Sequence, residues 1–232
     1  VSKWNTSVEI PFTAQVKQQV ADAVRFKQNI NPETFTPNII RHAVTSPDGK
    51  TLVFNAVGYL WKMNLPNGKA ERITKVADFE FEPSFSPDGK TLVYTTWNDN
   101  ESGAIYKVAV SGNAKPVKLT EQKGIYRMPR FSPDGKWIVF RKEGSSDVLG
   151  NAFTSQPGIY TMSVNGGVQN HVSNRGDFPQ FSKSGDRIYY QTGGGTNRTF
   201  ASSRLDGTDE RVHLKSMYGS QFTVSPDEAW IA

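Results

Sequence analysis

The residues best suited to chemistry are spread thinly along this chain of 232 residues. Its histidines, His42, His171 and His213, are far apart, and none belongs to a His-x-His or His-Glu-x-x-His motif. The chain also lacks the Gly-x-Ser-x-Gly elbow that carries the nucleophile of many serine hydrolases. The sequence therefore predicts no catalytic residues and no metal site in this chain.

Two short motifs resemble the end of a phosphate-binding loop, namely Gly49-Lys50-Thr51 and Gly89-Lys90-Thr91. That loop needs another glycine five residues before its second glycine, because backbone N–H groups there must approach the phosphate closely. The corresponding positions hold Val44 and Ser84. We therefore expect no nucleotide and no other cofactor to be bound through these motifs.

Both motifs belong to a larger turn sequence, Ser-Pro-Asp-Gly-Lys, which recurs along the chain. Its serines stand 40, 46, 50 and 43 residues apart, at Ser46, Ser86, Ser132, Ser182 and Ser225. The fourth copy is degenerate, with Lys183-Ser184 in place of Pro-Asp. A repeat of this period is typical of propellers, solenoids and arrays.

The turn sequence has a physical explanation. Serine can bind nearby backbone N–H groups, proline fixes φ at the second position, and glycine adopts the left-handed conformation that releases the next strand. Each copy should therefore join two antiparallel strands. We interpret the repeated aspartates and glycines as structural rather than as metal ligands: Asp48, Gly49, Asp88, Gly89, Asp134, Gly135, Gly185 and Asp227.

Short apolar runs between the turns predict four strands in each repeat, which is the composition of a propeller blade. The second strand is almost wholly apolar, as in Leu92-Val93-Tyr94, which indicates burial on both faces. We predict an all-β fold, an incomplete β-propeller of about four to five four-stranded blades. Residues 39–232 form the blades, and the fifth repeat stops early, so we expect the chain to be part of a longer polypeptide.

Residues 1–38 carry no turn motif and are predicted to be an extended segment that completes or braces the propeller. From Val8 to Val16 apolar and polar residues alternate, which predicts a half-buried strand.

The residues that precede each turn should line the mouth of the central channel, because the innermost strand of a blade faces the propeller axis. Their mixed charges suit a polar ligand, a peptide or a loop of a protein partner, although the same charges could simply solvate the channel wall. The predicted binding residues are Arg41, His42, Glu80, Glu82, Tyr126, Arg127, Arg175 and Asp177.

Composition narrows the possible partners. The net charge of +5 comes from scattered residues rather than from basic blocks interleaved with aromatics, so no nucleic-acid surface is predicted. The absence of cysteine excludes disulfides and thiolate metal sites. No apolar run approaches the length of a membrane span.

The Phe-Ser-Pro-Asp-Gly-Lys blades resemble the TolB-type, WD-like propeller repeats of bacterial proteins. A wider set of segments is similar to the N-terminal propeller of secreted or periplasmic proteins that carry a metal-dependent amidohydrolase domain. These segments are Val8–Ala14, Asp78–Pro83, Tyr94–Trp97 and Leu205–Asp209. The resemblance implies a periplasmic or secreted location, and zinc or another divalent metal on a separate hydrolase domain that is missing from this sequence.

Three hypotheses follow for function. The chain is the non-catalytic propeller of an amidohydrolase-like enzyme, where it limits substrate access or positions substrate. Alternatively, it is a free-standing TolB-type propeller that binds a protein of the bacterial envelope, or the propeller of a prolyl-oligopeptidase-like serine peptidase. Its partner is then the rest of the same polypeptide, another protein, or a small polar ligand.

Overall fold

The computed structural model describes residues 2–3, 6–7, 11–19, 32–111, 115–148, 150–219 and 221–232. Over these ranges the chain contains strands and turns but no helix, so no described helix could cross a membrane. The chain divides into two compact units, Val1–Thr36 and Pro37–Ala232. The second unit is an open β-propeller, which confirms the predicted fold class.

Each blade of the propeller is a four-stranded antiparallel sheet whose strands follow one another in chain order. Blade 1 contains β3 (Arg41–Thr45), β4 (Thr51–Ala56), β5 (Tyr59–Asn64) and β6 (Glu71–Arg72). Blade 2 contains β7 (Phe79–Phe85), β8 (Thr91–Asn98), β9 (Ser102–Ala109) and β10 (Val117–Lys118). Blade 3 contains β11 (Tyr126–Phe131), β12 (Trp137–Lys142), β15 (Gly158–Ser163) and β16 (Asn170–Ser173). Blade 4 contains β17 (Asp177–Phe181), β18 (Arg187–Thr192), β19 (Arg198–Arg204) and β20 (Arg211–Ser216).

Blade 3 differs from the others by an insertion between its second and third strands. The insertion, residues 143–157, contains a small hairpin of β13 (Ser145–Ser146) and β14 (Asn151–Ala152). After blade 4, an isolated bridge between Val224 and Ile231 begins the fifth repeat. The first strands of consecutive blades pack beside one another, and this places them around the propeller axis.

The hydrophobic core lies between blades. In β8, Leu92 packs in a cluster shared with blade 1, whereas its neighbour Val93 packs in a cluster shared with blade 3. In β12, Ile138 faces blade 2 and Val139 faces blade 4. Successive residues of a strand point to opposite faces, so each second strand supplies two cores, as its apolar sequence predicts.

The repeated turns have the predicted conformation. In the first copy the N–H of Gly49 donates to the Ser46 carbonyl (2.9 Å), and Gly49 is left-handed with a φ of 70°. The Ser46 hydroxyl donates to Asp48 Oδ1 (2.6 Å) and accepts the N–H of Thr51 (2.9 Å). Asp48 Oδ1 also accepts the N–H of Lys50 (3.1 Å). The aspartate thus closes the turn by its own hydrogen bonds.

The degenerate fourth turn keeps the same shape by another route. Its serine, Ser182, donates to Asp186 Oδ1 (3.0 Å) and accepts the N–H of Arg187 (3.1 Å). Ser184 also donates to Asp186. Asp186 therefore replaces the missing turn aspartate from two positions further along the chain.

The first unit differs from one expectation. It contains a short hairpin in which β1 (Ser2–Lys3) pairs with β2 (Thr6–Ser7). The predicted half-buried strand is absent from residues 11–19, which form no strand and are exposed, and its start at residues 8–10 lies outside the described residues. Phe12 is 87% exposed, so apolar alternation alone, without a sheet to bury it, did not produce a strand here. The proposed role of residues 1–38 in completing or bracing the propeller stays a prediction.

Candidate functional site

The first strand of every described blade carries a β-bulge four residues before the turn serine. At this position a residue other than glycine adopts a left-handed backbone: His42 (φ 51°), Glu82 (51°), Met128 (54°) and Phe178 (53°). Such conformations are costly for residues with a Cβ and are often found at functional sites. Their repetition around the axis makes this ring of bulges the first candidate for a site.

The bulges redirect side chains toward the axis. A surface cleft of about 440 Å³, which we call the central cleft, is lined by residues of all four blades and of the fifth repeat. Gln221 is the fifth-repeat residue and lies four positions before Ser225, the same offset as the bulge residues. The central cleft is lined by His42, Ala43, Val44, Glu82, Pro83, Arg127, Met128, Arg130, Phe178 and Gln221.

Glu82 organises the polar contacts of the central cleft. Its Oε1 accepts the Nε–H of Arg127 (2.8 Å) and lies 2.7 Å from Nη2 of the same guanidinium. Its Oε2 accepts the backbone N–H of Met128 (2.7 Å). The Glu82 side chain is only 8% exposed, whereas that of Arg127 is 44% exposed, and this charged contact joins blades 2 and 3.

The basic residues of the cleft outnumber its acids. The side chain of Arg130 makes no hydrogen bond or ion pair with any part of the chain that the structure describes, and the residue is exposed and lines the cleft. Arg41 lies in an adjoining cleft of about 320 Å³, together with His42, Glu82 and Arg127. Desolvation by the surrounding protein lowers the pKa of His42, the Glu82 carboxylate opposes this, and both nearby guanidinium groups reinforce it. The site is thus a mixed-charge surface with an excess of positive charge.

Two of the predicted binding residues are buried, which the sequence interpretation did not anticipate. Glu80 is fully buried, and its carboxylate accepts hydrogen bonds from the N–H of Leu60 (3.0 Å) and the hydroxyl of Thr74 (2.5 Å). Burial raises the pKa of Glu80 despite these bonds. Tyr126 is 2% exposed, and its hydroxyl donates to the Gln122 carbonyl (2.7 Å).

The last predicted pair, Arg175 and Asp177, lies at the start of blade 4 outside the central cleft. Arg175 is exposed and pairs with Glu210 (3.0 Å). Asp177 is half-buried and pairs with Arg141 of blade 3. Both side chains therefore form ion pairs with other residues of this chain. Five of the eight predicted residues line the adjoining cleft together, namely Arg41, His42, Glu82, Tyr126 and Arg127.

The predicted residues did not include Met128, Arg130, Phe178 and Gln221, which line the central cleft. A signal was available in the run X-Pro-X-Phe-Ser, in which X before proline is the bulge residue. It occurs at Glu82–Ser86, Met128–Ser132 and Phe178–Ser182. Alignment of this run on the turn serine would have identified the equivalent positions in all repeats.

Among the described residues, no group of three or more histidines, aspartates or glutamates is placed to hold a metal ion. One serine–histidine pair occurs, with Ser202 Oγ 2.8 Å from His213 Nε2. Arg187 Nε donates to the same oxygen (3.0 Å). Ser202 is fully buried, which leaves its oxygen no access to a substrate.

Comparison with known proteins agrees with this architecture. A family model described as "TolB beta propeller domain" matches residues 46–232. An uncharacterized protein of Agrobacterium fabrum is 27% identical over 193 residues, which cover 81% of this chain. The chain spans only 62% of the length of that relative.

Solved structures with little sequence identity have the same fold. An oligogalacturonate lyase in complex with manganese superposes with a TM-score of 0.63 at 13% identity, over 82% of this chain and 57% of the lyase. A protein from Agrobacterium tumefaciens assigned as TolB gives a TM-score of 0.51 at 21% identity, over 78% of this chain and 83% of that protein. At these identities the likeness establishes the fold alone.

Proposed function

The chain belongs to the TolB β-propeller domain family, and from this premise we propose that it is a non-catalytic binding platform. Its central cleft takes an acidic peptide segment, either from a protein partner or from another part of the same polypeptide. The observation that carries this proposal is the convergence of bulge residues from successive blades around Arg130, a cation without a partner among the described residues.

Charge and geometry support an acidic ligand. Arg127 is held by Glu82, so its charge is largely compensated, whereas Arg41 and Arg130 remain available. The left-handed bulges hold the surrounding side chains on strands rather than on flexible loops, which reduces the ordering cost of binding. A peptide carboxylate that reaches Arg130 would gain a charge-assisted hydrogen bond.

The proposal extends to the intact protein. The propeller is part of a larger periplasmic or secreted amidohydrolase-like enzyme, in which it limits access to the active site or positions substrate. A hydrolytic metal would belong to the separate hydrolase domain. The segments that resemble such enzymes support this proposal.

A second candidate is a TolB-type propeller that binds an envelope protein without an attached enzyme. The family match over residues 46–232 favours it. The intact mass of the protein isolated from its source, with metal analysis, separates the two candidates. A chain several times larger that contains zinc supports the amidohydrolase-like enzyme, whereas a chain of propeller size supports the second candidate.

Binding at the cleft is tested by fluorescence anisotropy with a labelled glutamate-rich peptide and its glutamine counterpart. We expect the protein to bind the acidic peptide and not the neutral one. Arg130→Gln should weaken this binding, by about tenfold for a lost charged contact. Lys118→Gln, at an exposed position of β10, is the matched control and should bind as the unaltered protein does. Equal affinities for both peptides, or equal losses in both variants, would overturn the proposal.

A further inference from the structure

Lys142 occupies a position where the other blades have no charge. It is the sixth residue of the second strand in blade 3, and its equivalents are Ala56, Thr96 and Thr192. Lys142 is nevertheless only 4% exposed, as are the equivalents Ala56 at 4% and Thr96 at 6%. Since the other three blades form with small residues here, the blade itself does not require a lysine.

The surroundings of Lys142 hold its ammonium group without neutralising it. Nζ donates to Gln122 Oε1 (2.9 Å) and, less closely, to Gln169 Oε1 (3.4 Å). It also lies 5.7 Å from the ring centroids of both Tyr126 and Tyr160, within the range of cation–π attraction. In the part of the chain that the structure describes, no carboxylate forms an ion pair with it.

A buried cation without a counterion is costly, because two amide oxygens do not replace the hydration of a full charge. Burial accordingly lowers the pKa of Lys142. An ammonium group has three N–H donors, and two of them have acceptors among the described residues. An anion in this site would therefore accept a hydrogen bond from Lys142 Nζ and pair with its positive charge.

Lys142 borders a cleft of about 380 Å³ that is separate from the central cleft. The insertion in blade 3 contributes Thr154 to its wall, and the connection between blades 2 and 3 contributes Gln122. Glu121 also lines the cleft but is exposed and makes no ion pair with Lys142. The lysine that is peculiar to blade 3 and the insertion of blade 3 therefore border the same cleft.

We propose that this cleft binds a small carboxylate ligand, which forms an ion pair with Lys142 in place of the long contact to Gln169. A carboxylate oxygen typically approaches an ammonium nitrogen to about 2.7–2.9 Å, which is closer than Gln169 Oε1 does. The free hydroxyl hydrogen of Thr154 is a further donor in the cleft, since Thr154 Oγ1 accepts the N–H of Gln156 (3.1 Å). Because the central cleft shares no lining residue with this site, the inference does not rest on the proposed function.

The test uses the entire chain with ¹³C-labelled lysine, and NMR follows the side-chain resonance of Lys142 during titration. The probes are acetate, succinate and inorganic phosphate, with chloride at equal ionic strength as the reference. Lys142→Thr assigns the resonance and introduces the residue that two other blades carry at this position. Lys118→Thr is the matched control at an exposed lysine. Circular dichroism verifies that both variants fold.

We expect a saturable shift of the Lys142 resonance with at least one carboxylate, with a dissociation constant of about 1 mM or tighter. Calorimetry should detect this binding in the Lys118→Thr variant and its loss in Lys142→Thr. A resonance that does not saturate, or equal binding by both variants, would overturn the inference. Saturation by phosphate alone would also overturn it, because the ligand would then not be a carboxylate.

Discussion

The backbone N–H of Lys183 donates a 2.7 Å hydrogen bond to the carboxylate of Glu228. These two residues stand where the turn sequence elsewhere has proline and glycine. In the earlier turns the glycine of one blade lies beside the proline of the preceding blade: Gly89 beside Pro47, Gly135 beside Pro87 and Gly185 beside Pro133. The two departures from the repeat therefore compensate each other, because proline could not supply the N–H that Glu228 accepts.

This pairing predicts that Lys183 and Glu228 are coupled energetically. Lys183→Pro removes the donor and should destabilise the protein by about 0.5–1 kcal/mol, typical of an exposed hydrogen bond to a charge. In a Glu228→Gly background the same substitution should cost less, because the acceptor is already absent. Urea unfolding of the single and double variants gives the coupling energy. Strictly additive effects would mean that the hydrogen bond contributes nothing to stability.

Glu80 provides a second prediction, since it connects blades 1 and 2 from inside the fold. Glu80→Ala leaves the N–H of Leu60 and the hydroxyl of Thr74 without their acceptor, and it opens a cavity. We expect a loss of about 2–4 kcal/mol in the free energy of unfolding. Glu80→Gln keeps an acceptor and should lose less. In urea unfolding, we expect the unaltered protein or Glu80→Gln to have the highest free energy of unfolding and Glu80→Ala the lowest.

The raised pKa of Glu80 also predicts the pH dependence of that comparison. Its pKa in the folded protein lies above the ordinary value of 4.5, so the folded state holds the proton more tightly than the unfolded state. The contribution of Glu80 is fully present below the ordinary pKa and is lost as the pH rises through the raised one. The unaltered protein should therefore lose stability relative to Glu80→Gln over this interval. If the difference in stability between the two proteins does not change with pH, folding does not raise the pKa of Glu80.

The turn aspartates predict the opposite trend at lower pH. Asp134 accepts the hydroxyl of Ser132 and the N–H of Lys136, and these hydrogen bonds hold its pKa below the ordinary value of 3.8. Its contribution to stability is present above that value and is lost as the pH falls through the lowered pKa. Asp134→Asn should therefore reduce the loss of stability in acid. Chemical unfolding at a series of acidic pH values measures how the free energy of unfolding changes with pH in the unaltered protein and in Asp134→Asn. Equal slopes would show that Asp134 does not contribute to the loss of stability in acid.

His42 predicts a pH dependence of peptide binding at the central cleft. Its pKa is lowered, mainly by desolvation, so the ring gains its charge only below the ordinary value of 6.5. The affinity for the glutamate-rich peptide should increase as the pH falls from about 7 to about 5.5, where the added charge attracts the peptide carboxylates. His42→Gln should remove this increase. An unchanged pH profile in that variant would show that His42 does not face the bound peptide.

Much of the fold could be predicted from the repeated turn because its chemistry is local. Ser46, Asp48 and Gly49 close their hydrogen bonds within six residues, so the sequence contains all the partners. The apolar second strands were equally informative, since residues such as Leu92 and Val93 must both be buried.

The site was only partly predictable because it depends on bulges and on distant partners. By simple alternation, Glu80 and Glu82 should share a face of their strand. The left-handed bulge at Glu82 breaks the alternation, so one carboxylate is buried and the other enters the central cleft. The contact between Glu82 and Arg127 joins residues 45 positions apart, and no local pattern indicates it.

The position of the cores between the blades has a mechanical consequence. The described core clusters are all shared between neighbouring blades, so β8 and β12 can be buried only when both neighbouring blades are in place. Excision of one blade would expose two apolar faces, and the remainder would not behave as a shorter version of the same protein. The backbone amides of β8 and β12 should accordingly exchange with deuterium only when several blades open together, whereas those of the outer edge strands exchange blade by blade.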